Sequence, residues 1–141
     1  MHTDNARDLF ENAFRVFVDS LDTLGMDAEE QCEAMGNYNV PWELQHDVAE
    51  TAVVLAEAAI SYFDDLQKAH LIALARALEA LPREAVSPSG TLTNNRSGSL
   101  QAMRHPAWAP LRRQARELLR QLKPAIERNA RYFDSPGEAA F

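Results

Sequence analysis

Two helical patterns of this chain meet in the segment Met35-Gly36-Asn37-Tyr38-Asn39-Val40-Pro41-Trp42-Glu43-Leu44. Gly36 belongs to the residue type that most often ends a helix in a left-handed conformation. Asn39 is a good N-cap for a new helix, and Pro41 falls in the first turn, where its missing N–H leaves no hydrogen bond unmade. The segment therefore predicts a corner between two helices.

The two tryptophans suggest how this corner is held in the fold. Trp42 lies at the corner and Trp108 lies in the second half of the chain. We expect Trp42 to be a core anchor that meets the segment around Trp108, because buried aromatic side chains remove large apolar areas from water. Asn37 and Tyr38 neither end nor start a helix, so they form the tip of the corner that is available for recognition.

Capping residues mark the starts of three further helices. Thr3 or Asp4 can cap the first helix, Asp27 can cap the second, and Asp64 or Ser61 can cap the fourth. Each of these side chains has an oxygen that can accept a hydrogen bond from an otherwise unpaired N–H of the first turn.

Apolar residues at helical spacing predict five main helices, which end near residues 24, 35, 59, 81 and 133. Gly25 stands where a left-handed residue would end the first helix. The stretch 71–81 contains only Arg76 and Glu79 as charged residues, so its helix is expected to lie centrally in the fold. The chain is therefore predicted to be all-α, with one irregular bundle of about five helices in a single domain over 1–141.

Two segments depart from the helical pattern. Residues 82–99 are rich in Ser, Thr, Asn, Gly and Pro, and this composition predicts a long flexible loop before the last helix. Residues 135–141 follow the last helical pattern and are expected to be a frayed tail.

Length and composition are those of an ordinary globular domain. The chain has 141 residues, of which 46% are hydrophobic and 25% are charged. No apolar run approaches the roughly 18 residues that span a bilayer, and the N-terminus lacks the basic and apolar regions of a secretory signal. The single cysteine, Cys32, permits neither an internal disulfide nor a cysteine-based zinc site. These features favour a cytoplasmic protein that does not associate with membranes.

Charge is divided unequally along the chain. Residues 1–80 contain 16 acidic and 4 basic side chains, a net charge of −12, whereas residues 81–141 contain 5 acidic and 10 basic side chains, a net charge of +5. The total of −7 disfavours nucleic acid as the main partner, because phosphate binding depends on excess positive charge. A basic protein partner suits the acidic half better.

One acidic cluster raises the question of a metal site. Glu29, Glu30 and Glu33 fit the pattern E-E-x-x-E, which resembles the first metal motif of the all-α nucleotide pyrophosphohydrolases. In that family, clustered carboxylates hold magnesium against a triphosphate, and a second motif, E-x-x-D, lies on a following helix. The third helix of this chain contains no E-x-x-D, and the helix dipole also explains acidic residues in a first turn. A magnesium-dependent pyrophosphohydrolase is kept as an alternative, and no cofactor is expected.

Other catalytic patterns are incomplete. Glu43 and His46 match the E-x-x-H of di-iron bundles, but those sites need a second such motif and this chain has none. Cys32 lies in an acidic helix, which would raise the pKa of its thiol, and no serine lies in G-x-S-x-G. We therefore expect a protein that is not an enzyme, in which His46 has a structural role.

Basic residues follow one stripe of the last helix: Arg112, Arg116, Arg120 and Lys123. Such a stripe could serve a helical adaptor or regulator, or track a phosphate backbone, but no stacking aromatics are interleaved with it. We favour the interpretation that these side chains pair with the acidic stripes of the first or third helix, which biases the topology more than the stability.

Two stretches of the sequence resemble a known family: Cys32–Leu44 (CEAMGNYNVPWEL) and Met103–Arg112 (MRHPAWAPLR). They are similar to segments of small, all-helical bacterial immunity proteins, the partners of contact-dependent growth-inhibition toxins. The resemblance implies a cytoplasmic protein that binds one toxin domain, often a nuclease, and blocks its active site without doing chemistry. No particular binding residues can be transferred from the family to this chain, since its members vary widely in how they pair with their toxins.

The charge pattern and this resemblance lead to one hypothesis. The protein would bind and neutralise a basic toxin domain through an acidic surface, because complementary charge accelerates association and directs it to the right partner. The predicted contact residues are the exposed acids and the tip of the corner: Glu29, Glu30, Glu33, Asn37, Tyr38, Asp64 and Asp65.

Overall fold

A computed structural model describes residues 2–36, 39–58 and 63–134, with side chains for 8–36, 39–58 and 63–131. All regular structure within these ranges is helical. The helices are α1 (His2–Leu24), α2 (Ala28–Met35), α3 (Val40–Glu57), α4 (Asp65–Glu79), α5 (Arg83–Val86), α6 (Arg96–Met103) and α7 (Trp108–Asp134). The all-α class is confirmed for this part of the chain. It contains two short helices, α5 and α6, beyond the five that the sequence predicts.

The predicted caps hold the starts of three helices. The side chains of Asp27, Asn39 and Asp64 each accept a hydrogen bond from the backbone N–H three residues later, at 2.8, 3.2 and 2.8 Å. Gln67 closes a capping box by accepting from the backbone N–H of Asp64 at 2.8 Å. The alternative cap Ser61 lies outside the described residues. At the other end of α2, Gly36 ends the helix as predicted, with a φ of 66°.

Four long helices form the frame of the bundle. Helix α3 packs between α1 and α4, and α7 packs against the same two helices, so α3 and α7 occupy opposite corners. The short helices α2, α5 and α6 pack together around the end of the bundle where α3 begins. At that end, the Ser99 hydroxyl donates to the Thr93 carbonyl at 2.6 Å and accepts from the Val40 N–H at 3.3 Å.

The core lies inside this frame. Residues at the spacing of one apolar seam on α1 are buried: Phe10, Phe14, Phe17, Leu21 and Leu24. Of these, Phe17, Leu21 and Leu24 are fully inaccessible to water. Helix α4, which is expected to lie centrally in the fold, packs against α3 and α7 but buries only one of its faces. Leu71, Leu74 and Leu78 face the core, whereas Ala73 and Arg76 are exposed. Alanine tolerates either environment, so its abundance does not show which faces of α4 are covered.

The segment 82–99 is more regular than its composition predicts. It contains all of α5 and the first turn of α6, which Asn95 caps by accepting from the Gly98 N–H at 2.8 Å. Trp108 is fully buried against this segment, and its indole N–H donates to the Ala85 carbonyl at 2.8 Å. The Ser, Asn and Gly residues that predict a loop instead supply a cap, buried hydrogen bonds and close contacts.

Gly98 permits the closest of these contacts. A Cβ atom added at this position would lie 1.6 Å from the Leu92 carbonyl oxygen, a distance that no side chain can adopt. The Leu92 oxygen is a backbone atom, and the added Cβ would be bonded directly to the backbone of Gly98. The clash could therefore be relieved only if α6 moved away from the 91–93 segment.

We predict that Gly98→Ala lowers the free energy of unfolding by at least about 2 kcal/mol, because overpacking at a rigid contact forces the backbone to shift. Urea unfolding followed by circular dichroism measures the change. Ser97→Ala, at an exposed position in the same turn, is the control and should change stability by less than about 0.5 kcal/mol. Equal effects of the two substitutions would contradict the close contact.

Arg112 joins the ends of several helices. Its guanidinium donates to the Gln31 side-chain oxygen from Nε at 3.3 Å and from Nη2 at 3.0 Å, and Nη2 also donates to the Met103 carbonyl. Gln31 is fully buried, and its amide donates in turn to the Leu24 carbonyl at 2.9 Å. Burial lowers the pKa of the Arg112 guanidinium from its ordinary value. These hydrogen bonds connect α7 to α2 and to the C-terminal ends of α1 and α6.

Arg116 lies one helical turn after Arg112 on α7 and contacts the segment between α1 and α2. It donates to the Gly25 carbonyl at 2.8 Å, and a Cβ at Gly25 would approach the Arg116 side chain to 2.9 Å. Gly25 does not have a positive φ, so the predicted left-handed conformation is wrong and the glycine instead makes room for Arg116. Among the described side chains, the arginine stripe therefore forms no ion pair with the acidic stripes of α1 or α3, contrary to the prediction from the sequence. It binds unpaired carbonyls at helix C-termini, where the helix dipole favours a cation, and Arg120 pairs within α7 with Glu117.

We predict that Arg112→Met lowers the free energy of unfolding by about 2–4 kcal/mol, because the buried Gln31 oxygen and the Met103 carbonyl both lose a charged donor. Arg113→Met is the matched control, since Arg113 is exposed on the same helix and has no ion pair among the described residues. It should change stability by less than about 0.5 kcal/mol in the same urea titration. A similar loss from both variants would show that the Arg112 hydrogen bonds do not hold the fold.

Candidate functional site

The predicted acids of α2 are exposed, but two of the three already have partners within the chain. Glu29 pairs with Arg104 at 2.5 Å and Glu33 pairs with Arg96 at 2.9 Å, so both connect α2 to the region of α6. The hydrogen bond from Arg104 lowers the pKa of the Glu29 carboxyl below its ordinary value. Glu30 is exposed beside them without an ion pair in the described part of the chain.

The same pairs bear on the metal alternative. Within the described ranges, no three His, Cys, Asp or Glu side chains are grouped so that they could hold a metal ion. A magnesium ion at Glu29 and Glu33 would have to displace two arginines that the fold places there.

The predicted acids of α4 lie at the other end of the bundle. Asp64 caps α4 and Asp65 begins it, and both are exposed. Because α3 and α4 run antiparallel, Asp64 and Asp65 lie beside the end of α3, whereas α2 lies beside the start of α3. The 18 residues of α3 therefore separate the two acidic groups by roughly 25 Å. Asn37 and Tyr38 lie outside the described residues.

The outer face of α3 lies between these two groups. Trp42 is 47% exposed there, so the expectation that it anchors the core against the Trp108 segment is wrong. Its indole ring stacks on the His46 imidazole with 4.1 Å between ring centroids, and the His46 Nδ1–H donates to the Trp42 carbonyl at 2.9 Å. Val40 and Leu44 are buried, and they fix a helical phase in which Trp42 turns outward.

Carboxylates continue along this outer face. Helix α3 contains four acidic residues, Glu43, Asp47, Glu50 and Glu57, and no lysine or arginine. The ion pairs found among the described residues involve α1, α2, α6, α7 and the residue after α6, and none reaches α3. In this part of the structure, the α3 carboxylates therefore form no ion pair.

The pKa of Asp47 reflects both its burial and the negative charge of its neighbours on α3. Burial raises the pKa of its carboxyl, and the neighbouring Glu43 and Glu50 raise it further, while His46 acts in the opposite direction. The ionised form of Asp47 is thus disfavoured in the folded protein relative to the unfolded chain.

We call Trp42, Glu43, His46, Asp47 and Glu50 the α3 face. Part of it could be recognised from the sequence, because a helical wheel aligned on the buried positions Val40, Leu44 and Val48 places Trp42 and Glu50 on the opposite side. The sequence does not indicate that Trp42 stacks on His46, apart from their spacing of four residues.

Two other features offer little for chemistry. The only cysteine, Cys32, is fully buried, and burial raises the pKa of its thiol, which disfavours a reactive thiolate. An open groove of about 400 Å³ lies between the end of α3 and α4, lined by small apolar residues and by Glu57, Asp65, Lys68 and Arg76. It brings together charges of both signs.

No helix in the described ranges is both long enough and apolar enough to span a membrane. Comparisons with models of known protein families, with curated proteins and with solved structures found no significant match to this chain.

We predict that Asp47→Asn stabilises the folded protein at neutral pH. Because the folded-state pKa of Asp47 is raised, the ionised carboxyl destabilises the fold above that pKa, and the penalty disappears as pH falls below the unfolded value of about 3.9. The stability gained by the variant should therefore be largest near pH 7 and shrink towards pH 4.

Urea unfolding of the wild type and the variant at several pH values measures this difference. Asp19→Asn, at an exposed position on α1, is the control for removing one negative charge from an acidic protein. If Asp47→Asn gives no more stability at pH 7 than Asp19→Asn does, the carboxylates of α3 do not strain one another.

Proposed function

We propose that this protein is an immunity protein that acts by binding alone. It would neutralise the basic catalytic domain of a bacterial toxin, most simply a nuclease, by covering the toxin's active site with an acidic surface. The observation that carries the proposal is the α3 face, where an exposed tryptophan lies among carboxylates that have no close basic partner in the described residues.

Charge complementarity supports a basic partner. An enzyme that acts on nucleic acid needs a positive cleft for its substrate, and an acidic protein can occupy that cleft in place of the phosphates. Residues 1–80, with their net charge of −12, supply this acidity. The resemblance of Cys32–Leu44 and Met103–Arg112 to immunity proteins points to the same class of partner.

The cytoplasm is the proposed place of action. A toxin delivered into a cell must be neutralised where its substrate is, and a single buried cysteine without a disulfide suits a reducing compartment.

The pairing of the α2 carboxylates favours binding over the pyrophosphohydrolase alternative. Glu29 and Glu33 have arginine counterions in the chain, whereas a magnesium site would need them unpaired and directed to a common point. Glu29, Glu30, Glu33, Asn37, Tyr38, Asp64 and Asp65 stay predictions as toxin contacts.

A helical adaptor or regulator is a second candidate, favoured by the outer surface of α7. Arg113 and Lys123 are exposed there and have no acidic partner among the described residues. Binding of the protein to duplex or single-stranded nucleic acid, weakening steeply with salt, would support this candidate.

Co-expression tests the proposal. If the gene immediately upstream encodes a large secreted protein with a basic C-terminal domain, that domain expressed alone should arrest growth, and this protein should restore it. The two proteins should co-purify, and their association rate should fall as salt rises, because steering charges are screened. A catalytically inactive form of the domain allows the complex to be isolated without toxicity. Growth arrest that persists, with no complex formed, would exclude the immunity function.

A further inference from the structure

We propose that the α3 face is the docking surface for the toxin domain, and that the toxin places an arginine or lysine side chain against the Trp42 ring, between the carboxylates of Glu43, Asp47 and Glu50. This inference rests on the proposed function and adds the contact surface and the chemistry of the group that it binds.

The first argument is the arrangement of the α3 face. Trp42, His46 and Glu50 follow one another at intervals of four residues, and Glu43 and Asp47 lie beside them at the same interval, so neighbouring side chains are one helical turn apart. The buried residues Leu44, Val48 and Leu55 occupy the opposite side of the helix. A single partner segment lying along α3 could therefore contact all five residues.

The second argument is that Trp42 is held in place before binding. The stack on His46, together with the hydrogen bond from His46 Nδ1 to the Trp42 carbonyl, fixes the two side chains relative to each other. A pre-positioned aromatic side chain loses little conformational freedom on binding, and tryptophan is among the residues most often found at interface hot spots. With 47% of its surface exposed, Trp42 still has a large area to bury against a partner.

The third argument concerns the chemistry of the partner. Tryptophan is the best aromatic receptor for a cation lying over its ring, and carboxylates on the same face of the helix add direct attraction to the same cation. Burial and, after it, the negative charges of Glu43 and Glu50 raise the pKa of Asp47, so these neighbouring carboxylates repel one another in the free protein. A basic side chain would relieve that repulsion, whereas an apolar partner would bury the carboxylates without compensation.

The fourth argument compares the α3 face with the other acidic surfaces. Binding at Glu29 or Glu33 would compete with Arg104 and Arg96, which already occupy those carboxylates. Helix α7, with its exposed arginines, lies at the corner opposite α3 and does not repel a basic partner that approaches the α3 face.

Binding of the catalytically inactive, basic C-terminal domain encoded upstream tests the inference by isothermal titration calorimetry. Trp42→Ala should raise the dissociation constant at least about 30-fold, which is the loss of affinity expected at a hot spot. Trp42→Phe should restore part of the affinity, because phenylalanine keeps a weaker aromatic face. The double variant Glu43→Gln, Glu50→Gln should weaken binding at least about 10-fold and reduce its dependence on salt.

Two control variants separate this surface from general effects. Leu66→Ala removes an exposed apolar side chain on α4, and Asp19→Asn removes an exposed carboxylate of α1. Each should change the dissociation constant by less than about 3-fold. Circular dichroism and the melting temperature verify that every variant is folded, which is expected because the substituted side chains are largely at the surface.

The outcomes distinguish the inference from the function on which it rests. If the wild-type protein binds the toxin domain and both Trp42→Ala and the double carboxylate variant bind equally well, the docking surface is elsewhere and the inference is wrong. If the wild type neither binds nor restores growth, the immunity function itself fails. Loss of binding in Glu33→Gln but not in Trp42→Ala would assign the interface to α2 and also overturn the inference.

Discussion

The hydrogen bonds of Arg112 determine how the remaining helices can be arranged. One guanidinium serves the buried Gln31 side chain and the Met103 carbonyl, and Gln31 continues to the Leu24 carbonyl. These contacts use the positive charge of α7 to satisfy helix C-termini, where carbonyl groups have no partner inside their own helix. They also remove from the acidic helix α3 the cations that the sequence suggests as its partners. The exposed negative charge of α3 is therefore a consequence of how the bundle is closed.

Local physical chemistry explains the parts of the fold that the sequence predicts well. Asp27, Asn39 and Asp64 cap their helices because a short side-chain oxygen reaches the N–H three residues later, whatever the rest of the chain does. The α1 seam is buried because its spacing leaves one continuous apolar stripe. Such features depend on neighbours within one helical turn, and a single sequence contains them completely.

The errors arise where distant residues decide the outcome. Trp42 is expected in the core from its residue type, but the packing of α3 between α1 and α4 buries Val40 and Leu44 and leaves the indole facing outward. The carboxylate of Glu33 looks available until Arg96, 63 residues later, is placed beside it. Gly98 contributes to an apparent loop, yet its contact with the Leu92 carbonyl helps to give that segment its structure. The candidate site can therefore be predicted only in part. The sequence shows that the chain has acidic residues for such a site, but it does not show where in the fold they lie.

The placement of α3 and α7 at opposite corners has a consequence for motion in solution. Helix α3 has four acidic and no basic side chains, and α7 has seven basic against three acidic, so the centres of negative and positive charge are displaced across the bundle. A molecule with such a dipole experiences a torque in the field of a charged body, and near a cationic surface it rotates until α3 points towards that surface. Orientation then precedes contact, and a larger fraction of random encounters begins with the same helix in front.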